Sequence, residues 1–229
     1  MKIDLLHLFF IINEKGGAAK TTSSINLFGQ LKAMGFRPFI IDCDTRGRAA
    51  HLISSLGDGW LRGNVARADA STMEYFELLL TNLADSDEYD CVIFDTPPHI
   101  GEEVNNLLKI AKRYEERARI IVPVLASAQD IGISKKVISY IQDINDGQKV
   151  YVLPSNIERR TVMGRAISGI FAVFDNVELL APIYKTTEIP KNGSAGETLN
   201  EIEKPSEMVQ RVIKSMETNV REMGVSHES

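Results

Sequence analysis

The runs Leu5–Ile12, Pro38–Ile41, Cys91–Phe94, Ile120–Val124, Val150–Leu153 and Leu179–Ile183 are short and apolar, without the alternation of a half-exposed strand. Segments of that length, rich in β-branched and aromatic residues, fit strands buried on both faces of a parallel sheet. Helix-patterned segments lie between them, at Thr21–Met34, Ala70–Ala84, Glu103–Arg113, Ala128–Ile144 and Thr161–Phe174. Parallel neighbours need a crossover, so this alternation predicts an α/β fold: a parallel twisted sheet with helices on both faces. Residues 45–70 mix glycines and arginines with a short apolar face and read as a helical connection plus loop. Beyond Ser194, residues Leu199, Ile202, Met208, Val212, Ile213 and Met216 recur at rough helical spacing. They predict an amphipathic helix over about 195–222 that packs on the sheet. No repeat or Pro/Gly/Ser-rich linker divides the chain, so one domain over residues 1–229 is expected.

Composition removes other classes. No apolar stretch approaches the roughly 18–20 residues of a spanning helix. The first run is stopped by Asn13-Glu14-Lys15 rather than by the small residues of a signal cleavage site. Cys43 and Cys91 sit in apolar stretches without metal spacing, which suits a reducing cytoplasm and argues against a zinc site or disulfide scaffold. The formal net charge of −5 argues against DNA binding through bulk charge but leaves room for a local basic patch.

Residues 13–22, Asn-Glu-Lys-Gly-Gly-Ala-Ala-Lys-Thr-Thr, join the first predicted strand to the first helix. A glycine pair lets successive N–H groups turn inward on a phosphate chain, and the helix N-terminus attracts the same anion. Lys20 would neutralise β- and γ-phosphate oxygens, and the Thr21 hydroxyl would complete a Mg2+ shell. A lysine-bearing glycine turn without a ligand is the plainer alternative. It leaves two lysines, two glycines and a threonine pair unexplained. Downstream, Asp42-Cys-Asp44 closes the second strand and the run YDCVIFDTPP closes another at Asp95. Carboxyl ends of parallel strands are where such sheets bind ligands. An Asx turn after the strand is the alternative for Asp44. A buried strand-end acid such as Asp95 is costly without a cation. Asp90, ahead of that strand, reads as a solvated turn residue.

The stretch from Lys15 to Thr22 resembles the deviant Walker A pattern, KGGxxK[ST], of the ParA/MinD ATPases, and the plasmid-type ParA partition proteins in particular. The DxD at Asp42–Asp44 and the strand ending DTPP resemble that family's next two motifs. Weaker likenesses lie at Ile120–Gly132, at Asn156 to Thr161 (N…RRT) and at Ala181–Lys185, so the resemblance spans residues 2–187. It implies a P-loop fold and an ATP hydrolase, with slow turnover, acting as a dimer that sandwiches two Mg·ATP. Glu14, Lys15, Gly16, Gly17, Ala18, Ala19, Lys20, Thr21, Thr22 and Asn156 would bind the nucleotide. Thr21 and Asp95 would serve Mg2+, Asp44 would position the attacking water, and Lys15 would reach the phosphates of the other subunit, as an arginine finger does. Where the family usually has glycine, this chain has Ala19; if the position needs a glycine-only conformation, roughly 1–3 kcal/mol of strain follows. The family often continues Pro-Gln-Gly after the second motif, and Thr45-Arg46-Gly47 stands here instead.

The same resemblance implies nonspecific DNA binding by the ATP-bound dimer in DNA segregation, and a separate centromere-binding, ATPase-activating partner. Arg159 and Arg160 are the candidate DNA contacts; Arg165, Lys185, Lys191, Arg211, Lys214 and Arg221 are weaker ones, because acidic residues offset the later group. A membrane role would need a basic, apolar terminal helix, and the chain closes on polar and acidic residues. A cytoplasmic, nucleoid-associated protein of a bacterium or archaeon is therefore expected. Three other readings stay open: a weakly hydrolysing scaffold, another cargo-positioning ATPase (MinD-like or conjugation-related), and a ligase acting on a small carboxylate.

Overall fold

Along β1, His7–Ile11, every residue is buried, and successive side chains enter different cores. Leu8 and Phe10 face one side, and Phe9 and Ile11 the other, as the two-residue period of a strand requires. The computed structural model describes residues 2–44, 59–68, 72–158, 162–188 and 198–225, without the side chains of Lys2, Asp4, Met163, Arg165 and Ser168. The remaining strands are β2 (Pro38–Asp42), β3 (Val65–Arg67), β4 (Cys91–Asp95), β5 (Ala118–Leu125), β6 (Val150–Ser155) and β7 (Val177–Leu179). They form one parallel sheet in the order β3-β2-β4-β1-β5-β6-β7. This is the doubly wound α/β architecture read from the runs.

One face carries α2 (Met73–Asp85), α3 (Glu102–Arg113), α4 (Ala128–Ile144) and α5 (Val162–Phe171). Phe10 and Phe94 stack there with centroids 4.8 Å apart and planes at 6°. A large apolar side chain buried this fully contributes on the order of 1.5–3 kcal/mol. The opposite face is covered by α1 (Lys20–Ala33) and α6 (Glu207–Glu222). Helix α1 stops where Gly35, at φ 93°, permits a Schellman ending: Phe36 N–H bonds the Leu31 carbonyl at 3.0 Å and Gly35 N–H that of Lys32 at 3.0 Å. Thr72, Ser127 and Ser206 cap α2, α4 and α6 by accepting from the N–H three residues on.

Four boundaries differ from the sequence reading. Lys2–Leu5 is a 3-10 turn closed by Leu6 N–H on the Ile3 carbonyl at 2.9 Å, so the first strand starts at His7. Within 45–70, residues 65–67 are not loop but the edge strand β3, held by Ile40↔Val65 to Asp42↔Arg67 pairing. The run Leu179–Ile183 is strand only to Leu179; Pro182, which has no N–H, interrupts the ladder. Beyond it Ile183 N–H still bonds the Pro154 carbonyl at 2.8 Å, and a bridge joins Ile157 to Tyr184. The last helix begins at Glu207, not near 195, because Pro205 and the Ser206 cap set its start. Asp90 lies in a partly exposed bend ahead of β4, as expected of a turn residue, and there accepts from Arg37 N–H at 2.7 Å and pairs with its Nε at 3.2 Å. Among the described residues, no helix is long and apolar enough to cross a membrane.

Candidate functional site

Parallel register brings Ile11, Asp42 and Asp95 side by side at the carboxyl edge of the sheet, since Asp95 pairs with both of the others. Strand β1 is also where the chain order reverses, with β4 on one side and β5 on the other. Such a switch point opens a crevice at the strand ends. Here it is a recess of about 430 Å³, lined by the loop from Gly16 to Thr22 and by Asp44, Thr96, Asn156, Tyr184 and Met216, among others.

The loop owes its shape to left-handed residues. Gly17 sits at φ 77° and Ala19 at φ 64°, ψ 22°. Ala19 is the N-cap of α1 and offers no side-chain cap, so the first-turn N–H groups keep their capacity for an anion. Ala19 therefore takes the left-handed conformation that glycine favours and an alanine adopts only at a cost. Lys20 is buried, and its Nζ folds back to donate to the Lys15 carbonyl at 3.2 Å. Burial pushes the ammonium pKa down, while the nearby Asp95 and Asp44 carboxylates pull it up.

Asp95 is fully enclosed. Burial, with the Asp42 charge, raises its pKa to about 7 against hydrogen bonds from the Thr21 and Ser24 hydroxyls and the charge of Lys20. Its Oδ1 has no hydrogen-bond partner among the described residues. An orphaned carboxylate oxygen beside the Thr21 hydroxyl suits a hard, oxygen-seeking divalent cation. Asp44 lies half-buried at the recess, its N–H bonded to Asp42 Oδ1 at 3.0 Å in an Asx turn. Cys43 between them is buried with a thiol pushed up by that burial, so it remains neutral.

Lys15 does not enter the recess beside it. Its Nζ pairs with Asp130 Oδ1 at 2.6 Å, at the first turn of α4. Glu14 is exposed and does not line the recess. At the far end Asn156 takes φ 55° opposite Ile183 and Tyr184, with Met216 reaching in from α6. Met216, Asp130, Asn13 and Ser134 were not singled out from sequence. Met216 and Asp130 read as helix residues there; nothing local marks Met216 as a wall of the recess, or Asp130, which does not line it, as the partner of Lys15. Arg159 and Arg160 lie outside the described residues, as do Arg46, Lys191 and the Arg165 side chain. Lys185 is paired with Glu158, Arg211 with Glu207 and Arg221 with Glu217, which neutralises much of the later basic group.

A family model described as the CobQ/CobB/MinD/ParA nucleotide binding domain matches residues 9–199. An uncharacterized ATP-binding protein, MJ0410 of Methanocaldococcus jannaschii, is 28% identical over 163 residues, covering 59% of this chain and 60% of that protein. The chain thus spans about three-fifths of that relative's length. The chromosome-partitioning ATPase Soj of Thermus thermophilus is 21% identical over 218 residues, 82% of this chain and 85% of Soj. The MinD cell division protein of Aquifex aeolicus superposes with a TM-score of 0.69 at 19% identity, covering 97% of this chain and 99% of that one.

Proposed function

The chain belongs to the CobQ/CobB/MinD/ParA nucleotide-binding family, and from that premise we propose that it is a ParA-like ATPase that dimerises around two Mg·ATP and acts in DNA segregation. The observation that carries this reading is the recess itself. Uncapped helix N–H groups, a buried Lys20 and the Thr21 hydroxyl line it, and the enclosed Asp95 bonded to that hydroxyl keeps one oxygen without a partner, where a phosphate chain and its cation would sit. In that reading Gly16–Thr22 and Lys20 hold the β- and γ-phosphates. Thr21 and Asp95 hold Mg2+, which when bound neutralises charge on the phosphate oxygens. Asp44 accepts a hydrogen bond from the water whose oxygen attacks the γ-phosphorus. The bridging P–O bond then breaks with its electron pair leaving on ADP, and the proton of the attacking water passes to an oxygen of the released phosphate. Lys15 supplies positive charge across the dimer, having left Asp130. Asn156, Tyr184 and Met216 bound the base end.

Little covalent chemistry falls to the protein, so positioning and charge stabilisation carry the rate. Mg·ATP hydrolysis by the wild type should therefore fall on the order of 10²-fold in Lys15→Ala and Asp44→Ala, with nucleotide affinity much less affected. Equal loss of binding and turnover would contradict these roles. Arg159 and Arg160 are proposed as local phosphate contacts, doubled by dimerisation. A second reading, a nucleotide-dependent scaffold with little hydrolysis, is favoured by the left-handed Ala19 alone. Absence of turnover with or without DNA, in wild type as in Asp44→Ala, would select it.

A further inference from the structure

Asn13 follows β1 directly and is 3% exposed, yet its amide reaches three elements. Its Oδ1 accepts the Lys15 N–H at 3.1 Å in an Asx turn. Its Nδ2 donates to the Pro123 carbonyl of β5 at 2.8 Å and to Ser134 Oγ of α4 at 3.0 Å. The amide orientation is determined by its partners, because a peptide N–H can only donate and a carbonyl can only accept. An unsatisfied amide at this depth would be costly, and a residue that merely left the strand would not need one.

Helix α4 touches the loop at a second point. Asp130 and Ser134 are four residues apart and share one helix face. Ser134, 0% exposed, takes the Asn13 side chain, and Asp130 takes the Lys15 ammonium at 2.6 Å. Both parts of Lys15 are thus referred to α4, and the backbone reference through Asn13 and Ser134 is the one that persists once the side chain leaves Asp130. A misplacement near 1 Å of a group acting on a transition state costs about 10²-fold in rate, so such a reference is where precision would be kept.

We propose that Asn13 is a positioning residue: it sets Lys15 against α4 and acts on hydrolysis only through that lysine. The inference rests on the ATPase reading for its kinetic consequence but not for its geometric one. In the full chain without nucleotide, labelling of Lys15 by an amine-reactive ester, read by peptide mass spectrometry, should quicken several-fold in Asn13→Ala and less in Ser134→Ala. Unchanged labelling in both folded variants overturns the proposal even if the protein never hydrolyses ATP. Kinetically, Asn13→Ala should lower kcat on the order of 10-fold or more while the dissociation constant of a fluorescent ATP analogue stays within about 3-fold. Asn13→Ser, whose hydroxyl can rebuild the turn to the Lys15 N–H, should recover part of kcat. Parallel loss of affinity and turnover, or no rescue by serine, would make Asn13 a general support of the loop and overturn the role. A wild type that binds no ATP would refute the ATPase reading instead, leaving the labelling result to decide Asn13.

Discussion

Replacing Ala19 with glycine should stabilise this protein, the reverse of what that substitution does in a helix interior. Ala19 holds φ 64°, ψ 22°, while its carbonyl accepts the Ser23 N–H at 2.8 Å, so the conformation is tied to the first bond of α1. A left-handed L-residue costs roughly 1–2 kcal/mol. Glycine removes that cost but adds about 0.4–1 kcal/mol of unfolded-state freedom, which leaves a net gain near 0.5–1 kcal/mol. For a domain of this size Tm should rise by roughly 1–4 °C, measured by thermal unfolding without nucleotide. If part of the strain is taken up only when phosphate binds, ATP affinity improves about 2- to 5-fold as well. Gly17→Ala is the mirror control: at φ 77°, with nothing within 4 Å of an added Cβ, only backbone strain can act, and Tm should fall. A fall in Tm for Ala19→Gly, with Gly17→Ala neutral, would refute the strain argument at both positions.

Asp95 provides a pH signature. Its folded pKa of about 7 lies above the unfolded 3.8, so the folded state binds the extra proton between those values. Stability without Mg2+ should therefore decline as pH rises from about 4 to 7 and level off above, and this component should vanish in Asp95→Asn melts. Mg2+ needs the carboxylate, so its affinity, read by calorimetry, should weaken as pH drops below 7. Gly29→Ala would bring a Cβ within 2.5 Å of Thr198 Cβ; overpacking of this kind should cost about 1–3 kcal/mol despite better helix propensity, visible as a lowered Tm. ATP-dependent retention of DNA should fall steeply with salt and in Arg159→Ala/Arg160→Ala; salt-insensitive retention would argue against phosphate contacts.

The interior strands were legible because burial on both faces leaves a run with no polar interruption, as in β4 and β6. Val65–Arg67 left no such trace: three half-buried residues become a strand only because Ile40 and Asp42 offer an open edge. The same contrast runs through the site. Gly16–Thr22, Asp44 and Asp95 stand at the ends of strands visible as runs, so a parallel sheet must bring them to one edge. Asn13 bonds residues 110 and 121 positions away, and no local pattern announces a partner at that distance.

From sequence alone followed the parallel α/β sheet, the loop that can cradle phosphate and the acids at the strand ends, because each depends on periodicity or on adjacent residues. Which carboxylate oxygen is left unpaired, that Ala19 adopts a glycine's conformation, and that Lys15 rests on Asp130 were decided by tertiary structure. These follow from the register of β1 against β4 and β5 and from α4 crossing above the loop. Long-range packing selects among the conformations and partners that the local chain permits, and the candidate chemistry depends on that selection.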